Sequence, residues 1–479
     1  MMRTPTIKPV FPLCHDCTYV KGLRQMNNLP KKHASSLFYQ TRLPRPMLDR
    51  AEGIYLYDVN GKQYLDGSSG AMVSNIGHSN PYVLDAMKAQ MDKATFGYRL
   101  HFQNESAEKL AKLTASLMPK GLERVFFVSG GSEAVESAIK LARQYALALG
   151  KKNAWKIISR DPSYHGCSLG ALALTGYDPL TKPFMPMMRD MPKIPAPTCY
   201  LDRNDLNEEE RGLKYAEMLR EEIGRQGPDT VLGFIMEPVG GASTGALVAP
   251  DSYYTRIREI CDEFGILLIY DEVMTGAGRT GRFLASEHWN ITPDIIALSK
   301  GFAAGYAPLG AMVAKTDIVE TVLDGGGFAH GFTYAGNPLA CSAGLAVLEV
   351  LQKDKLIENA AKMGSLLKSR LFALMDNFPF IGDVRGKGLL LAFELVSDRE
   401  TMEPLPASLN AYNRLVDLAY DRGLILYSRR TRGGHKGDHF LVCPPLTIDT
   451  ADVDEIINIL KAALDQFANE AGLERGATA

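Results

Sequence analysis

Short apolar runs alternate with helical periodicities through the middle of the chain. Strand-like runs rich in apolar residues occur at 125–128, 156–159, 231–236, 266–270 and 295–298. Between them, apolar positions recur at helical spacing, as at Ala134, Ala138, Leu141, Ala142 and Tyr145 and again over 253–264. Buried strands that alternate with helices predict a mainly parallel sheet covered on both faces. Ligands of such sheets bind beyond the carboxyl ends of the strands.

The pattern differs at both ends of the chain. Residues 53–67 predict a hairpin around Asn60-Gly61. After about residue 345, strand-like runs at 388–396, 424–428 and 439–443 precede a helix for which Thr450 is the expected N-cap. We therefore expect an arm and part of a small domain over 1–72, a large domain over 73–344, and the rest of a smaller α+β domain over 345–479.

Composition narrows the classes of function. The 479 residues carry a net charge of −2, which gives no electrostatic footprint for nucleic acid or a membrane surface. No apolar run is long enough to span a bilayer, and the N-terminus lacks the apolar core of a secretory signal, so we expect a cytoplasmic protein. Cys14 and Cys17 form a CxxC pair without a matching second half, which favours reduced thiols over a metal site.

Polar residues follow four of the predicted strands. The segment Ser129-Gly130-Gly131-Ser132 leads into a helix, and such turns bind a phosphate through free N–H groups, although many strand–helix turns are equally rich in Gly and Ser. Tyr164 follows the next strand, either as an ordinary loop aromatic or as a ring that stacks on a flat ligand.

The other two strand ends carry charge. Asp271 ends an apolar strand, where it would either cap the next segment or pair with a buried cation. Lys300 follows another apolar strand, where it would either reach solvent or act as a desolvated nucleophilic amine. A phosphate-binding turn, a stacking ring, a carboxylate and an imine-forming lysine together describe a site for pyridoxal 5′-phosphate.

The segments SGGSEAVESAIKLAR, SYHG, IMEPVGG, YDEVMTGAGRTG, ALSKG and GFTYAGNP occur in one order along the chain. In sequence and in order they resemble the class III aminotransferases, from about residue 35 onward. The resemblance implies a pyridoxal-phosphate enzyme of fold type I. It also implies that Lys300 is the Schiff-base lysine and proton-transfer base, and that Asp271 keeps the pyridine nitrogen protonated.

The resemblance implies further cofactor contacts. Tyr164 and Val273 would sandwich the ring, and Gly131 and Ser132 would bind the phosphate. Thr333 would reach the phosphate from a second subunit. The active site would then lie at the interface of a homodimer, or of each dimer in a dimer of dimers. Glu237 would shape the site without transferring protons, and Gly301 is expected to leave room beside the ring.

Substrate preference is expected from departures within the same pattern. Family members that use 2-oxoglutarate carry an arginine where this chain has Cys167, which cannot pair with a distal carboxylate. The pattern is closer to the pyruvate-dependent ω-amino acid and amine transaminases, which bind the acceptor with an arginine before a PPL segment. Arg429, Arg430 and Arg432 are the candidates here, with Arg429 or Arg430 favoured. Met72 lies where these pyruvate-dependent relatives often have a large aromatic residue, so we expect the small substrate pocket to have a different shape here.

We therefore expect a ping-pong transaminase that moves an amino group from an ω-amino acid or amine to a 2-oxo acid, pyruvate being favoured. The alternatives are a lyase, decarboxylase, racemase or aminomutase on the same fold, since the bond that breaks depends on substrate orientation. A non-catalytic protein on this fold is a further alternative, against which Lys300 argues.

Overall fold

The computed structural model describes residues 36–41, 45–202 and 204–476. Cys14 and Cys17 lie outside the described residues. The chain separates into two compact units, residues 1–47 and residues 48–479, and every helix and strand named below belongs to the second.

A seven-stranded sheet forms the centre of the second unit, in the order β4-β10-β9-β8-β7-β5-β6. Its strands are β4 Arg124–Val128, β5 Lys156–Asp161, β6 Lys193–Pro195, β7 Val231–Met236, β8 Leu267–Asp271, β9 Ile295–Leu298 and β10 Gly310–Ala314. Neighbouring strands from β9 to β6 are parallel, whereas β10 is antiparallel to both β9 and β4. The predicted mainly parallel sheet is confirmed, with β10 as an unpredicted reversed strand. Because β10 is reversed, β4 again runs parallel to β9.

Helices pack around this sheet, and further helices lie in the C-terminal region. They are α1 Pro81–Lys93, α2 Glu105–Ser116, α3 Gly131–Ala148, α4 Leu169–Leu174, α5 Glu208–Gln226, α6 Asp251–Phe264, α7 Thr316–Asp324, α8 Pro338–Lys353, α9 Leu356–Asn377, α10 Ala411–Asp421 and α11 Thr450–Ala471. The predicted stripe of α3 is buried against the sheet through Ala134, Ala138, Leu141 and Ala142. Among the described helices, none has the length and apolar character needed to cross a membrane.

Two smaller sheets flank the central one. The N-terminal sheet contains β1 Leu48–Glu52, β2 Tyr55–Asp58 and β3 Gln63–Leu65, and its β2–β3 pair is the predicted hairpin. The C-terminal sheet has the order β11-β12-β15-β14, with β13 paired to β12. Its strands are β11 Ile381–Lys387, β12 Leu390–Asp398, β13 Glu403–Pro404, β14 Tyr427–Arg432 and β15 Lys436–Val442.

The three strands expected in the C-terminal region are each displaced by a few residues, to β12, β14 and β15, and the N-cap of the last helix is displaced by one. The strand expected at 424–428 begins at Tyr427 and extends to Arg432, because the polar run that follows Tyr427 pairs with β15 as a hairpin. The N-cap of α11 is Asp449 and not Thr450: its Oδ1 accepts the N–H groups of Ala451 at 2.8 Å and Asp452 at 3.1 Å. A carboxylate at this position also suits the positive end of the helix dipole.

Candidate active site

The carboxyl ends of β4, β5, β7, β8 and β9 meet at one edge of the central sheet. Glu237 follows β7 directly, Asp271 is the last residue of β8, and Lys300 lies two residues beyond β9. The register pairs Asp271 with Ala297, and Glu272 N donates to Ala297 O at 2.9 Å, which locks the ends of β8 and β9 together. The predicted polar residues are therefore grouped by the topology itself.

Asp271 is a buried carboxylate with one side-chain partner. Its Oδ2 lies 2.8 Å from His165 Nδ1, and its Oδ1 accepts the N–H of Val273 at 3.1 Å. The residue is only 5% exposed, so the carboxylate has lost nearly all contact with water. His165 Nε2 is buried and has no hydrogen-bond partner among the described residues. The role of His165 was missed from the sequence, although its place beside Tyr164 at a strand end was a signal.

Glu237 holds the loop that carries Tyr164. Its Oε1 accepts the N–H of Gly241 at 3.0 Å, and its Oε2 accepts the N–H of Tyr164 at 3.4 Å. Arg160 Nη2 donates to the Glu237 carbonyl oxygen at 2.6 Å and lies 4.0 Å from Oε2. Burial raises the pKa of Glu237, and the nearby positive charge of Arg160 opposes that rise. Glu237 thus connects the ends of β5 and β7, and its site-shaping role stays a prediction.

Lys300 presents its amine to this group of acids. Burial lowers the pKa of Lys300, while the charges of Asp271 and Glu237 oppose the shift. Lys300 Nζ makes no hydrogen bond within the described residues. The backbone of Lys300 has a φ of +49°, a left-handed conformation that is costly for a residue with a Cβ. A partly desolvated amine of this kind has an increased neutral, nucleophilic fraction.

The space expected beside Gly301 is taken by protein. A Cβ placed on Gly301 would lie 2.2 Å from Asn75 Nδ2, so the glycine admits this amide and not a cofactor ring. Asn75 Nδ2 donates to Ala277 O at 2.8 Å, and Asn75 Oδ1 accepts from Arg279 Nη2 at 2.6 Å. Glycine is thus required here by close packing behind Lys300.

The predicted phosphate-binding turn packs on the neighbouring loops. Gly131 is the first residue of α3, and a Cβ there would lie 2.8 Å from Val273 Cγ1. Ser132 Oγ accepts the N–H of Cys167 at 3.0 Å. The turn, the tyrosine loop and the segment after Asp271 are therefore in mutual contact, and the start of a long helix faces the same region.

Thr333 is exposed, in the segment between α7 and α8. Thr333 makes no hydrogen bond within the described residues of this chain. Met72 is 2% exposed and belongs to an apolar cluster with Val239, Met274 and Cys443. Its effect on a substrate pocket stays a prediction.

The C-terminal arginines differ in their partners. Arg430 Nε lies 2.7 Å from Asp438 Oδ1, and Arg432 donates to the Met402 carbonyl oxygen. Arg429 Nη2 donates to Tyr427 Oη at 2.7 Å, and no carboxylate of the described residues lies within 4.0 Å of its guanidinium. The strand that carries Arg429 is tied to the segment after the tyrosine loop, because Tyr177 donates its O–H to the Arg430 carbonyl oxygen at 3.2 Å. The Arg429 charge also opposes the rise that burial causes in the pKa of Tyr164.

The site fits a flat cofactor that bears an aldehyde, a phosphate and a basic ring nitrogen. Lys300 offers an amine that makes no hydrogen bond within the described part of the chain, Asp271 offers a buried carboxylate, and the start of α3 offers N–H groups. A buried carboxylate is costly unless a positive group balances it, and a protonated ring nitrogen would add that charge beside the hydrogen bonds from His165 and the Val273 N–H.

Comparison with known proteins identifies the family. Residues 40–464 match the family model of the class III aminotransferases. The chain is 41% identical to Uncharacterized aminotransferase YodT of Bacillus subtilis (strain 168), over 86% of this chain and 94% of the relative. It is 34% identical to putrescine–pyruvate aminotransferase of Pseudomonas aeruginosa, over 88% and 91%. The crystal structure of an (S)-enantioselective ω-transaminase from Thermomicrobium roseum superposes with a TM-score of 0.85 at 36% identity, over 91% and 97%. The chain therefore belongs to the class III aminotransferases, which are pyridoxal-phosphate-dependent enzymes of fold type I.

Proposed function

We propose that this aminotransferase moves an amino group from an ω-amino acid or amine to a 2-oxo acid, with pyruvate as the favoured acceptor, by a ping-pong mechanism. The observation that supports this most is Arg429, a guanidinium beside the tyrosine loop with no carboxylate partner among the described residues. An acceptor carboxylate would supply the missing negative charge. The similarity to a relative named putrescine–pyruvate aminotransferase points to the same acceptor.

Each reacting group has a role that its surroundings explain. Pyridoxal phosphate, when bound, supplies an electron sink for negative charge at the substrate carbon. Lys300 would hold the cofactor through Nζ and then carry the proton at that carbon, and its lowered pKa increases the neutral fraction that both tasks need. Asp271, oriented by His165, would hold the proton on the ring nitrogen. Gly131 and Ser132 would bind the phosphate, and Tyr164 and Val273 would flank the ring.

The acceptor site would be short and singly charged. Cys167 is exposed next to Ser132, with Sγ 3.6 Å from Ser132 Oγ, and offers no cation for a second carboxylate. Arg430 and Asp438 neutralise each other on the other face of β14. Arg429 would then be the cation that binds the acceptor carboxylate. A single cation suits an acceptor with one carboxylate and disfavours 2-oxoglutarate, which has two.

Changing Arg429 to Lys should raise the KM for pyruvate about ten-fold, because a lysine cannot form the two parallel hydrogen bonds of a guanidinium fork. The matched control is Arg430→Lys, which keeps its charge beside Asp438 and should leave the KM near the wild-type value. Steady-state kinetics with alanine as the measured product decide the matter. An increase for Arg430→Lys alone would move the acceptor site to the other face of the strand.

The proposal includes a homodimer whose partner subunit completes the site. Thr333 is exposed, and large apolar side chains near it are also exposed, with Leu100 at 72%, Phe102 at 71% and Tyr334 at 65%. Phe96 packs edge-on against Tyr334, with ring centroids 6.0 Å apart, so these segments form one continuous surface. An exposed apolar patch of this kind is typical of a protein interface.

A hybrid dimer tests whether Thr333 serves the other subunit. One chain carries Lys300→Ala, the other carries Thr333→Asp, and two affinity tags isolate the mixed dimer. If Thr333 acts across the interface, one site contains both defects and the other neither, so the hybrid should have roughly half the wild-type activity. If Thr333 serves its own chain, both sites are defective and the hybrid stays as inactive as its parents.

A further inference from the structure

Tyr427 and Arg429 form a pair on one face of β14. They are two residues apart on the same strand, so their side chains project to the same side. Arg429 Nη2 donates to Tyr427 Oη at 2.7 Å, and the guanidinium carbon lies 4.9 Å from the centroid of the tyrosine ring. The two polar ends are thus held next to each other, close enough for one carboxylate to contact both.

The hydrogen bond from Arg429 to Tyr427 determines that the tyrosine O–H remains available to donate to another group. A phenol oxygen that accepts from a guanidinium keeps its own O–H for donation. Among the described residues, none accepts a hydrogen bond from Tyr427 Oη. Tyr427 also packs against the apolar cluster that contains Met72 and Cys443, which limits the movement of its ring. The hydroxyl is therefore a positioned donor whose acceptor must come from elsewhere.

The pair faces the tyrosine loop of the active site. Tyr177, which lies beyond α4 on the same segment as Tyr164, donates its O–H to the Arg430 carbonyl oxygen at 3.2 Å, and Tyr427 packs against the cluster that contains Val239 and Met274. Tyr164 follows β5, whose neighbour β7 leads into Glu237, and Glu237 Oε2 accepts the N–H of Tyr164 at 3.4 Å. A ligand at this place would meet guanidinium N–H groups on one side and a phenol O–H on the other.

We infer that Tyr427 is a second binding residue for the acceptor carboxylate, donating its O–H to one carboxylate oxygen while Arg429 binds the other. The inference rests on the proposed function and adds a residue to the acceptor site. A carboxylate held by a charged fork and a neutral hydroxyl receives directional hydrogen bonds at both oxygens with a single formal charge to match. Aldehyde acceptors, which lack a carboxylate, gain nothing from the hydroxyl.

Replacing Tyr427 with Phe removes only the hydroxyl. The KM for pyruvate should rise about ten-fold, because a hydrogen bond to a charged group is lost, whereas the KM for butanal should not change. The matched control is Tyr412→Phe, since Tyr412 lies under the guanidinium of Arg430 at 4.1 Å on the opposite face. This control should leave both KM values as they are.

A double-mutant cycle separates direct binding from positioning. In an Arg429→Met background, Tyr427→Phe should still lower kcat/KM for pyruvate several-fold, because the hydroxyl binds the carboxylate itself. No further loss in that background would show that Tyr427 acts only through Arg429 and would overturn the inference. A wild-type enzyme that makes no alanine from pyruvate would overturn the proposed acceptor and this inference together. Full wild-type activity with an unchanged KM in Tyr427→Phe would overturn the role of Tyr427 alone.

Discussion

Replacing Lys300 with Ala should lower kcat for amino transfer by roughly 10³-fold or more, because one side chain supplies both the amine that holds the cofactor and the proton carrier at the substrate carbon. The variant should also lose the near-visible absorbance of covalently held cofactor. Neither loss needs a change in fold, since Lys300 Nζ makes no hydrogen bond within the described residues.

The matched control for this experiment is Lys368→Ala. Lys368 lies in α9, its pKa is also lowered by burial, and its Nζ donates to the Gly386 carbonyl oxygen at 3.1 Å. Activity and absorbance should both survive in this variant. A Lys300→Ala protein with full activity and unchanged absorbance would contradict the role given to Lys300.

Replacing Asp271 with Asn should lower kcat by about 10²- to 10³-fold, with a smaller effect on KM. The substitution keeps the shape of the side chain but removes the negative charge that would hold a proton on the ring nitrogen, and preorganised electrostatics of this kind commonly contribute that much. Asp271→Glu retains the charge and should recover part of the activity. Steady-state kinetics and the absorbance of the bound cofactor measure the two effects.

The control is the adjacent acid, Glu272→Gln. Glu272 is fully buried and accepts the N–H groups of Ala285 at 3.0 Å and Ser286 at 2.9 Å. Glutamine keeps the size of Glu272 and one accepting oxygen while it removes the charge, so this variant shows what a disturbance of the loop alone does to activity. Loss of activity in Glu272→Gln equal to that in Asp271→Asn would mean that general disruption of this loop, and not the Asp271 charge, explains both results.

Much of the site could be predicted because parallel strands bring their carboxyl ends to one edge. Apolar runs located β7 and β9 from end to end, and the residues after them could be grouped before any contact was known. The buried stripe of α3 was equally clear, since its period is that of a helix resting on a sheet.

What could not be predicted depends on contacts between distant segments. The reversed strand β10 has an apolar pattern that fits either direction. The bond between His165 and Asp271 joins residues 106 positions apart. Asn75 fills the space beside Gly301, a neighbour that the local sequence does not indicate.

The ranking of the arginines likewise depended on their partners. Adjacent side chains on a strand point to opposite faces, so only one of Arg429 and Arg430 can face the active site. The sequence does not show which one until the register of the strand is known. The register places Arg430 opposite Asp438 and Arg429 opposite His439. An ion pair thereby accounts for one arginine and leaves the other available to a ligand.

The central claim is that Lys300 holds the cofactor covalently. Borohydride reduction of the purified holoenzyme, followed by peptide mass spectrometry, tests it most directly because reduction makes the bond to the lysine permanent. We expect the phosphopyridoxyl adduct on the peptide that contains Lys300 and on no other peptide in stoichiometric amount. An adduct on a different lysine, or a fully loaded enzyme without any adduct, would contradict the account.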